Sequence, residues 1–80
     1  MNQYSYLSPK QERYILLSID KLKDAIANGL NKLYEWDLQK EVRFLEKIID
    51  KRAYDIFYDA DRLNSIKNLI GYIDNKNYEC

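Results

Sequence analysis

The stretch LQKEVRFLEKIIDKRAYDI, residues 38–56, decides the fold class of this sequence. It contains neither glycine nor proline, and its apolar residues recur at spacings of three and four, the period of a helix with one buried face. The charged residues predicted to lie off that face are Glu41, Lys47, Lys51 and Asp55. The pattern therefore predicts a helix over about 38–58. Its apolar face consists of Leu38, Val42, Leu45, Ile49, Ala53 and Ile56, widened by Ile48.

A first helix is predicted before this stretch, over about 9–28. Ser8 is suited to its N-cap, because the side-chain oxygen can accept a bond from a free backbone N–H group of the first turn. Pro9 fits the first helical position, where its missing N–H group is not needed, and Gln11 completes a capping box. The apolar stripe of this helix consists of Ile15, Ile19, Leu22, Ile26, Leu30 and Leu33.

The end of the first helix has two interpretations. Asn28 followed by Gly29 favours a stop near residue 28, because glycine readily adopts the left-handed conformation beyond a helix end. The apolar stripe keeps its phase through Gly29, so the alternative is a turn nearer Asp37. Asn31 and Asp37 are the candidate N-caps of the following helix. We favour the stop at Asn28.

A third helix is predicted over about 60–73. Asp59 and Asp61 are both suited to cap its start, and Gly71 followed by the polar tail 74–80 is predicted to end it. The alternative is that the second and third helices form one continuous helix, which would need another copy to cover its apolar face. The apolar stripe of the third helix consists of Leu63, Ile66, Leu69, Ile70 and Ile73.

The three stripes together predict an all-α fold. Eighty residues are enough for one domain and leave a thin core. The predicted architecture is a small three-helix bundle, in which the first two helices form an antiparallel hairpin and a shorter third helix packs against it.

The composition argues against catalysis and metal binding. The chain has no histidine, the most frequent general base and metal ligand. Its one cysteine, Cys80, cannot form an internal disulfide or a zinc site, and its two glycines are isolated, unlike those of a phosphate-binding loop. The cluster of Asp55, Asp59 and Asp61 is interpreted as helix caps and a solvated turn. We therefore expect no enzyme activity, no cofactor and no metal site.

Charge and hydropathy argue against two classes of partner. Thirteen basic residues balance thirteen acidic ones, whereas general nucleic-acid binders are usually strongly basic because they neutralise phosphates. No segment approaches the roughly 20 apolar residues that span a bilayer. Residues 1–10 lack the basic leader and apolar stretch of a signal peptide. We expect a cytoplasmic protein with no membrane contact.

One face of the second helix combines cations with aromatic rings. Ammonium and guanidinium groups bind phosphate oxygens, and rings stack on nucleobases, so this face is a candidate site for a nucleotide or nucleic acid. The alternative is a solvated helix face, with Phe44 and Tyr54 packed under the third helix or at a subunit contact. The basic-aromatic face consists of Lys40, Arg43, Phe44, Lys47, Lys51, Tyr54 and Tyr58.

A second candidate surface is rich in tyrosine and tryptophan. These residues are enriched at binding hot spots, because they combine a large area with few rotatable bonds. The alternative is that the short arm before the first helix folds as a lid over the open end of the bundle. The candidate interface residues are Tyr4 and Tyr6 in the arm, Tyr14 and Leu17 on the first helix, and Tyr34 and Trp36 at the hairpin end.

These features favour a non-enzymatic interaction protein that binds another protein and modulates or inhibits it. A phage or mobile-element inhibitor of a host protein fits this hypothesis, and so does a bacterial regulator. The alternative is a nucleotide- or nucleic-acid-binding protein, for example a sequestering protein, that uses the basic-aromatic face. The short motifs in segments 4–8 and 57–63 are not specific enough to identify a known family.

We also expect a homo-oligomer, with a dimer favoured. Tyr14, Leu17, Phe44, Ile48 and Leu69 lie at or beyond the edges of the predicted stripes. Leaving such a side chain in water would forgo roughly 1.5–3 kcal/mol relative to full burial. Balanced charge gives little repulsion between copies, and two-fold symmetry is the commonest closed assembly.

Overall fold

Three helices and two small sheets make up the described part of the chain, which in this computed structural model is residues 4–33 and 35–78, with side chains through residue 75. In chain order the elements are β1 (Tyr4–Tyr6), α1 (Pro9–Ala27), β2 (Lys32–Leu33), β3 (Trp36–Asp37), α2 (Leu38–Lys51), β4 (Ala53–Asp55) and α3 (Tyr58–Tyr78). β1 pairs antiparallel with β4, and β2 pairs antiparallel with β3. The fold is mostly helical, and the two sheets correct the all-α expectation.

The start of α1 follows its local sequence signal. The backbone N–H group of Gln11 donates to the Ser8 hydroxyl oxygen (3.1 Å), and the backbone N–H group of Ser8 donates to the Gln11 side-chain oxygen (3.0 Å). This reciprocal pair is the expected capping box, with Pro9 in the first helical position.

The end of α1 is also decided locally. Gly29 has a φ of +95°, and the N–H group of Leu30 donates to the carbonyl oxygen of Ala25 (2.9 Å). Together with the bond from the Gly29 N–H group, this forms a Schellman motif, which satisfies the last free carbonyls of the helix. The stop near Asn28 is confirmed, and the alternative turn nearer Asp37 is wrong.

The β2–β3 hairpin leads directly into α2. Lys32 lies opposite Asp37 in this hairpin. The Asp37 carboxylate accepts a hydrogen bond from the backbone N–H group of Lys40 (3.3 Å). Asp37, rather than Asn31, is therefore the N-cap of α2.

α2 ends at Lys51, so the predicted end near residue 58 is wrong. Arg52 follows the helix with a φ of +56°, in the left-handed conformation that ends helices. The next three residues leave the helical path and pair with β1. As a result Ala53 belongs to a strand and Ile56 is exposed, although the helical period of the sequence continues through both.

α3 begins at Tyr58 because of an aspartate that precedes it. The Asp55 carboxylate accepts hydrogen bonds from the backbone N–H groups of Phe57 (2.9 Å) and Tyr58 (2.8 Å). The Asp59 carboxylate accepts in turn from the Asp55 N–H group (2.8 Å). Asp55 therefore supplies the capping oxygen, and the prediction of Asp59 or Asp61 as the cap is wrong. The break also excludes one continuous helix.

α3 continues through Gly71 and the first part of the predicted polar tail 74–80, as far as Tyr78. It has 21 residues against 14 in α2, so both the predicted end near residue 73 and the shorter third helix are wrong. Lys21 of α1 forms an ion pair with Asp74 (2.6 Å). This contact stabilises the last part of α3 against the loss of about 1 kcal/mol of helix stability that Gly71 causes in the helix interior.

The core lies between the three helices and under the β2–β3 hairpin. The N–H group of Leu7, just before α1, donates to the carbonyl oxygen of Arg52, just after α2 (3.1 Å). The start of α1 therefore lies beside the end of α2, and the two helices run antiparallel. The buried apolar residues are Ile15, Ile19, Leu22, Ala25, Leu33, Leu38, Val42, Leu45, Ile48, Ile66, Leu69, Ile70 and Ile73. In the part of the chain that is described, no helix is both long enough and apolar enough to span a membrane.

Candidate interaction surface

Four aromatic side chains are exposed around the β1–β4 sheet and the turn into α3. Tyr4 and Tyr6 are 58% and 83% exposed, and Phe57 and Tyr58 are 69% and 71% exposed. Tyr4 and Tyr6 border one shallow cavity, Tyr4 and Tyr58 border a second, and Phe57 and Tyr58 border a third. The cavities connect these residues in pairs, Tyr6 with Tyr4, Tyr4 with Tyr58 and Tyr58 with Phe57, and we call the four the aromatic patch.

Strand pairing builds this patch. β1 places Tyr4 opposite Asp55 and Tyr6 opposite Ala53, so the start of the chain lies against the segment between α2 and α3. Asp55 then turns the chain into α3 and brings Phe57 beside the sheet. The arm before α1 is thus a paired strand, and its two tyrosines face solvent rather than the core.

Of the other candidate interface residues, Trp36 borders the same cavity as Phe57 and Tyr58, and two lie on α1. Tyr14 and Leu17 are exposed on α1 and do not border the cavities around the aromatic patch. Trp36 is half-buried and packs against the core from β3. Tyr34 lies outside the described residues. The predicted aromatic interface is therefore divided: Tyr4, Tyr6 and Trp36 lie at or beside the aromatic patch, and Tyr14 and Leu17 lie on a separate face of α1.

The basic-aromatic face is only partly a feature of α2. Four exposed cations do lie along that helix: Lys40, Arg43, Lys47 and Lys51. Tyr54 lies in β4 and Tyr58 begins α3, so their prediction as part of a continuous helix 2 face is wrong. Phe44 is half-buried and packs against the core, as the alternative interpretation expected.

A partly buried ion pair that the sequence did not indicate lies beside Phe44. Two N–H groups of the Arg62 guanidinium donate to the two carboxylate oxygens of Glu41 (3.3 and 3.2 Å). The guanidinium carbon also lies 4.1 Å from the centre of the Phe44 ring. Glu41 is only 8% exposed, so its predicted position off the apolar face is wrong. The sequence did contain a signal for the burial of Glu41. It lies three residues after Leu38 and four before Leu45, and residues at these spacings share one face of a helix.

A groove lies between β1, the second half of α2 and the start of α3, and we call it the α2–α3 groove. Its volume is about 220 Å³. It is bordered by Tyr4, Phe44, Lys47, Lys51, Tyr58 and Arg62, with Asp59 on the same rim. The groove therefore brings together four residues of the predicted basic-aromatic face and one of the predicted arm: Phe44, Lys47, Lys51 and Tyr58, with Tyr4. Lys40 and Arg43 do not border it.

Tyr54 has a structural role in the sheet. Its hydroxyl oxygen accepts a hydrogen bond from the Gln11 side-chain amide (3.3 Å), which ties β4 to the first turn of α1. The hydrogen bond from Gln11, and then one from Ser5, stabilise the phenolate and hold the pKa of Tyr54 below its ordinary value of 10.0.

The residues expected to drive self-association are mostly covered within one chain. Ile48 and Leu69 are buried, and Phe44 is half-buried under Arg62. Tyr14 and Leu17 remain exposed on α1. Exposed apolar area that a second copy could cover therefore remains on α1 and at the aromatic patch, but not at Ile48 or Leu69.

Among the described residues, no group of three or more acidic, histidine or cysteine side chains is arranged to hold a metal ion. No family model, curated protein or solved structure matches the chain.

Proposed function

We propose that the protein is a non-enzymatic interaction protein of the cytoplasm that binds another protein through the aromatic patch and modulates or inhibits it. The observation that supports this function is the exposure of Tyr6, Phe57 and Tyr58, each more than two-thirds accessible to solvent. Exposed aromatic side chains that lie together are typical of binding hot spots. An inhibitor of a host protein, encoded by a phage or mobile element, is one role of this kind.

The geometry also supports a rigid binding surface. The patch is held by the β1–β4 pairing and by the two hydrogen bonds to the Asp55 carboxylate. A surface that is ordered before binding loses less conformational entropy when the partner docks. Tyr6 and Phe57 are exposed enough to be replaced without removing core contacts.

The proposal is tested by affinity capture from a lysate of the organism that encodes the chain. Three forms are compared: the wild type, the Tyr6→Ser/Phe57→Ser double variant, and Leu16→Ser. Leu16 is the matched control, because it is an exposed apolar residue of α1 outside the patch. We expect a partner that the wild type and Leu16→Ser retain equally. The double variant should bind it at least about 30-fold more weakly, the effect of losing about 2 kcal/mol at a hot spot. No reproducible partner, or equal retention by all three forms, would contradict the proposal.

A homodimer is a further proposal for the same surface. Two copies related by two-fold symmetry would each cover the other's Tyr6 and Phe57, and the balanced charge of 13 basic and 13 acidic residues adds little repulsion.

A further inference from the structure

We propose that the α2–α3 groove binds a nucleotide, with the phosphate held by Lys47 and Lys51 and the base stacked on Tyr58 and Tyr4. This activity differs from protein binding by the aromatic patch and does not depend on it, although the two ligands would compete for Tyr4 and Tyr58. The shared chemistry is one nucleobase with one phosphate, either free or within a single strand.

The cations of the groove are the first reason. Lys47 and Lys51 are one helical turn apart on α2, and both are exposed. Within the described residues neither forms an ion pair, whereas Lys21, Lys23 and Arg62 each contact a carboxylate. Two like charges at this spacing repel each other. A phosphate placed between them would relieve the repulsion and accept hydrogen bonds from both ammonium groups.

The other two charged groups of the rim form hydrogen bonds within the chain. The Arg62 guanidinium is held by both oxygens of Glu41, and it lies over the Phe44 ring. One oxygen of the Asp59 carboxylate accepts the Asp55 N–H group, and the carboxylate keeps its negative charge beside the groove. Lys47 and Lys51 are therefore the cations of the groove that are available to an anion.

Two exposed rings form the second reason. Tyr4 reaches the groove from β1 and Tyr58 from the start of α3, so the rings come from distant segments of the sequence. Both are more than half exposed, and each therefore has ring surface available to a base. Base–aromatic stacking does not depend on which base is bound, so we infer affinity for nucleotides as a class.

The size of the groove limits the ligand. Its volume of about 220 Å³ lies below the ~300–1,000 Å³ of pockets that enclose drug-sized ligands. The groove therefore accommodates one base, with the phosphate at its open rim, rather than a dinucleotide. Duplex DNA is disfavoured, because the whole chain has no net charge with which to neutralise many phosphates.

The test is isothermal titration of the full chain with adenosine 5′-monophosphate, adenosine, inorganic phosphate and a four-nucleotide oligoadenylate. Lys47→Gln/Lys51→Gln removes the proposed phosphate contacts. Lys40→Gln/Arg43→Gln is the matched control, because it removes the same charge from α2 outside the groove. All four side chains are exposed, and circular dichroism checks that both variants remain helical.

We expect the monophosphate to bind the wild type and the control equally, within about twofold, and the Lys47/Lys51 variant at least about tenfold more weakly. Tyr58→Ala should lose about tenfold, and adenosine should bind more weakly than the monophosphate. Binding of the oligonucleotide but not the monophosphate also supports the proposal and identifies a single strand as the source. The proposal is overturned if neither binds at millimolar concentration, if inorganic phosphate binds as tightly as the monophosphate, or if the control loses as much affinity as the Lys47/Lys51 variant.

Discussion

Removing Arg62 from the Glu41–Arg62 pair should strongly destabilise this small protein. The Glu41 side chain is 10% exposed and the Arg62 side chain 26%. Replacing Arg62 with methionine keeps much of the stem on the Phe44 ring but leaves a carboxylate buried without its partner. Breaking a fully buried pair costs about 3–5 kcal/mol. Because Arg62 is one-quarter exposed, we expect about 2–3 kcal/mol.

This loss is large on the scale of the whole domain. At ~0.05–0.15 kcal/mol per residue, eighty residues have a free energy of unfolding of about 4–12 kcal/mol. Urea unfolding followed by circular dichroism measures the change. With a slope of about 1 kcal/mol per molar urea, the midpoint of Arg62→Met should fall by about 2–3 M. Lys67→Met is the matched control, because Lys67 is an exposed cation of the same helix, and its midpoint should hardly move.

A double-mutant cycle isolates the pair itself. Glu41→Gln removes the negative charge but keeps the shape of the side chain, so the double variant Glu41→Gln/Arg62→Met no longer contains an unpaired buried carboxylate. We expect the double variant to be clearly more stable than the sum of the two single losses allows. Losses that add to within about 0.5 kcal/mol would refute the reasoning, because they would mean that Arg62 stabilises the fold without its contact to Glu41.

Three further predictions concern backbone, ionisation and assembly. Gly29→Ala should lower the free energy of unfolding by about 1–2 kcal/mol, because Gly29 has a φ of +95°. Gly71→Ala should be neutral or stabilising by up to ~1 kcal/mol, because nothing lies within 4 Å of the added carbon. Thermal unfolding of the two variants checks which of them is the more stable. In an ultraviolet titration of tyrosinate, one group should ionise below pH 10.0 and be absent from Tyr54→Phe. Since the folded pKa of Tyr54 is lowered, its ionised form favours the folded state above the unfolded pKa, and this contribution is lost as the pH falls through the folded pKa. Light scattering over a dilution series should give a mass above 9.7 kDa that falls on dilution, whereas a constant 9.7 kDa would rule out the homodimer.

The candidate site was only partly predictable. The sequence singled out Lys47, Lys51 and Tyr58 from their spacing, and the structure brings them to one groove. It did not indicate Arg62 or Phe57 as part of the surface. Both belong to the segment after Asp55, whose direction depends on where α2 ends.

The ends of α1, and the apolar stripes within the observed helices, follow from local sequence. Ser8 with Gln11, and Gly29 with its neighbours, act on backbone groups a few residues away, so their effect does not depend on the rest of the fold. The stripes follow from the 3.6-residue period, which any helix must present to its core.

The end of α2 and the length of α3 were decided by tertiary structure. The helical period continues beyond Lys51, but residues 53–55 pair with β1, nearly fifty residues earlier in the chain. Asp74 likewise belongs to a helix that contacts Lys21. In both places the local pattern allows more than one conformation of similar free energy. Bonds between distant segments, which form only when the helices pack, select among them.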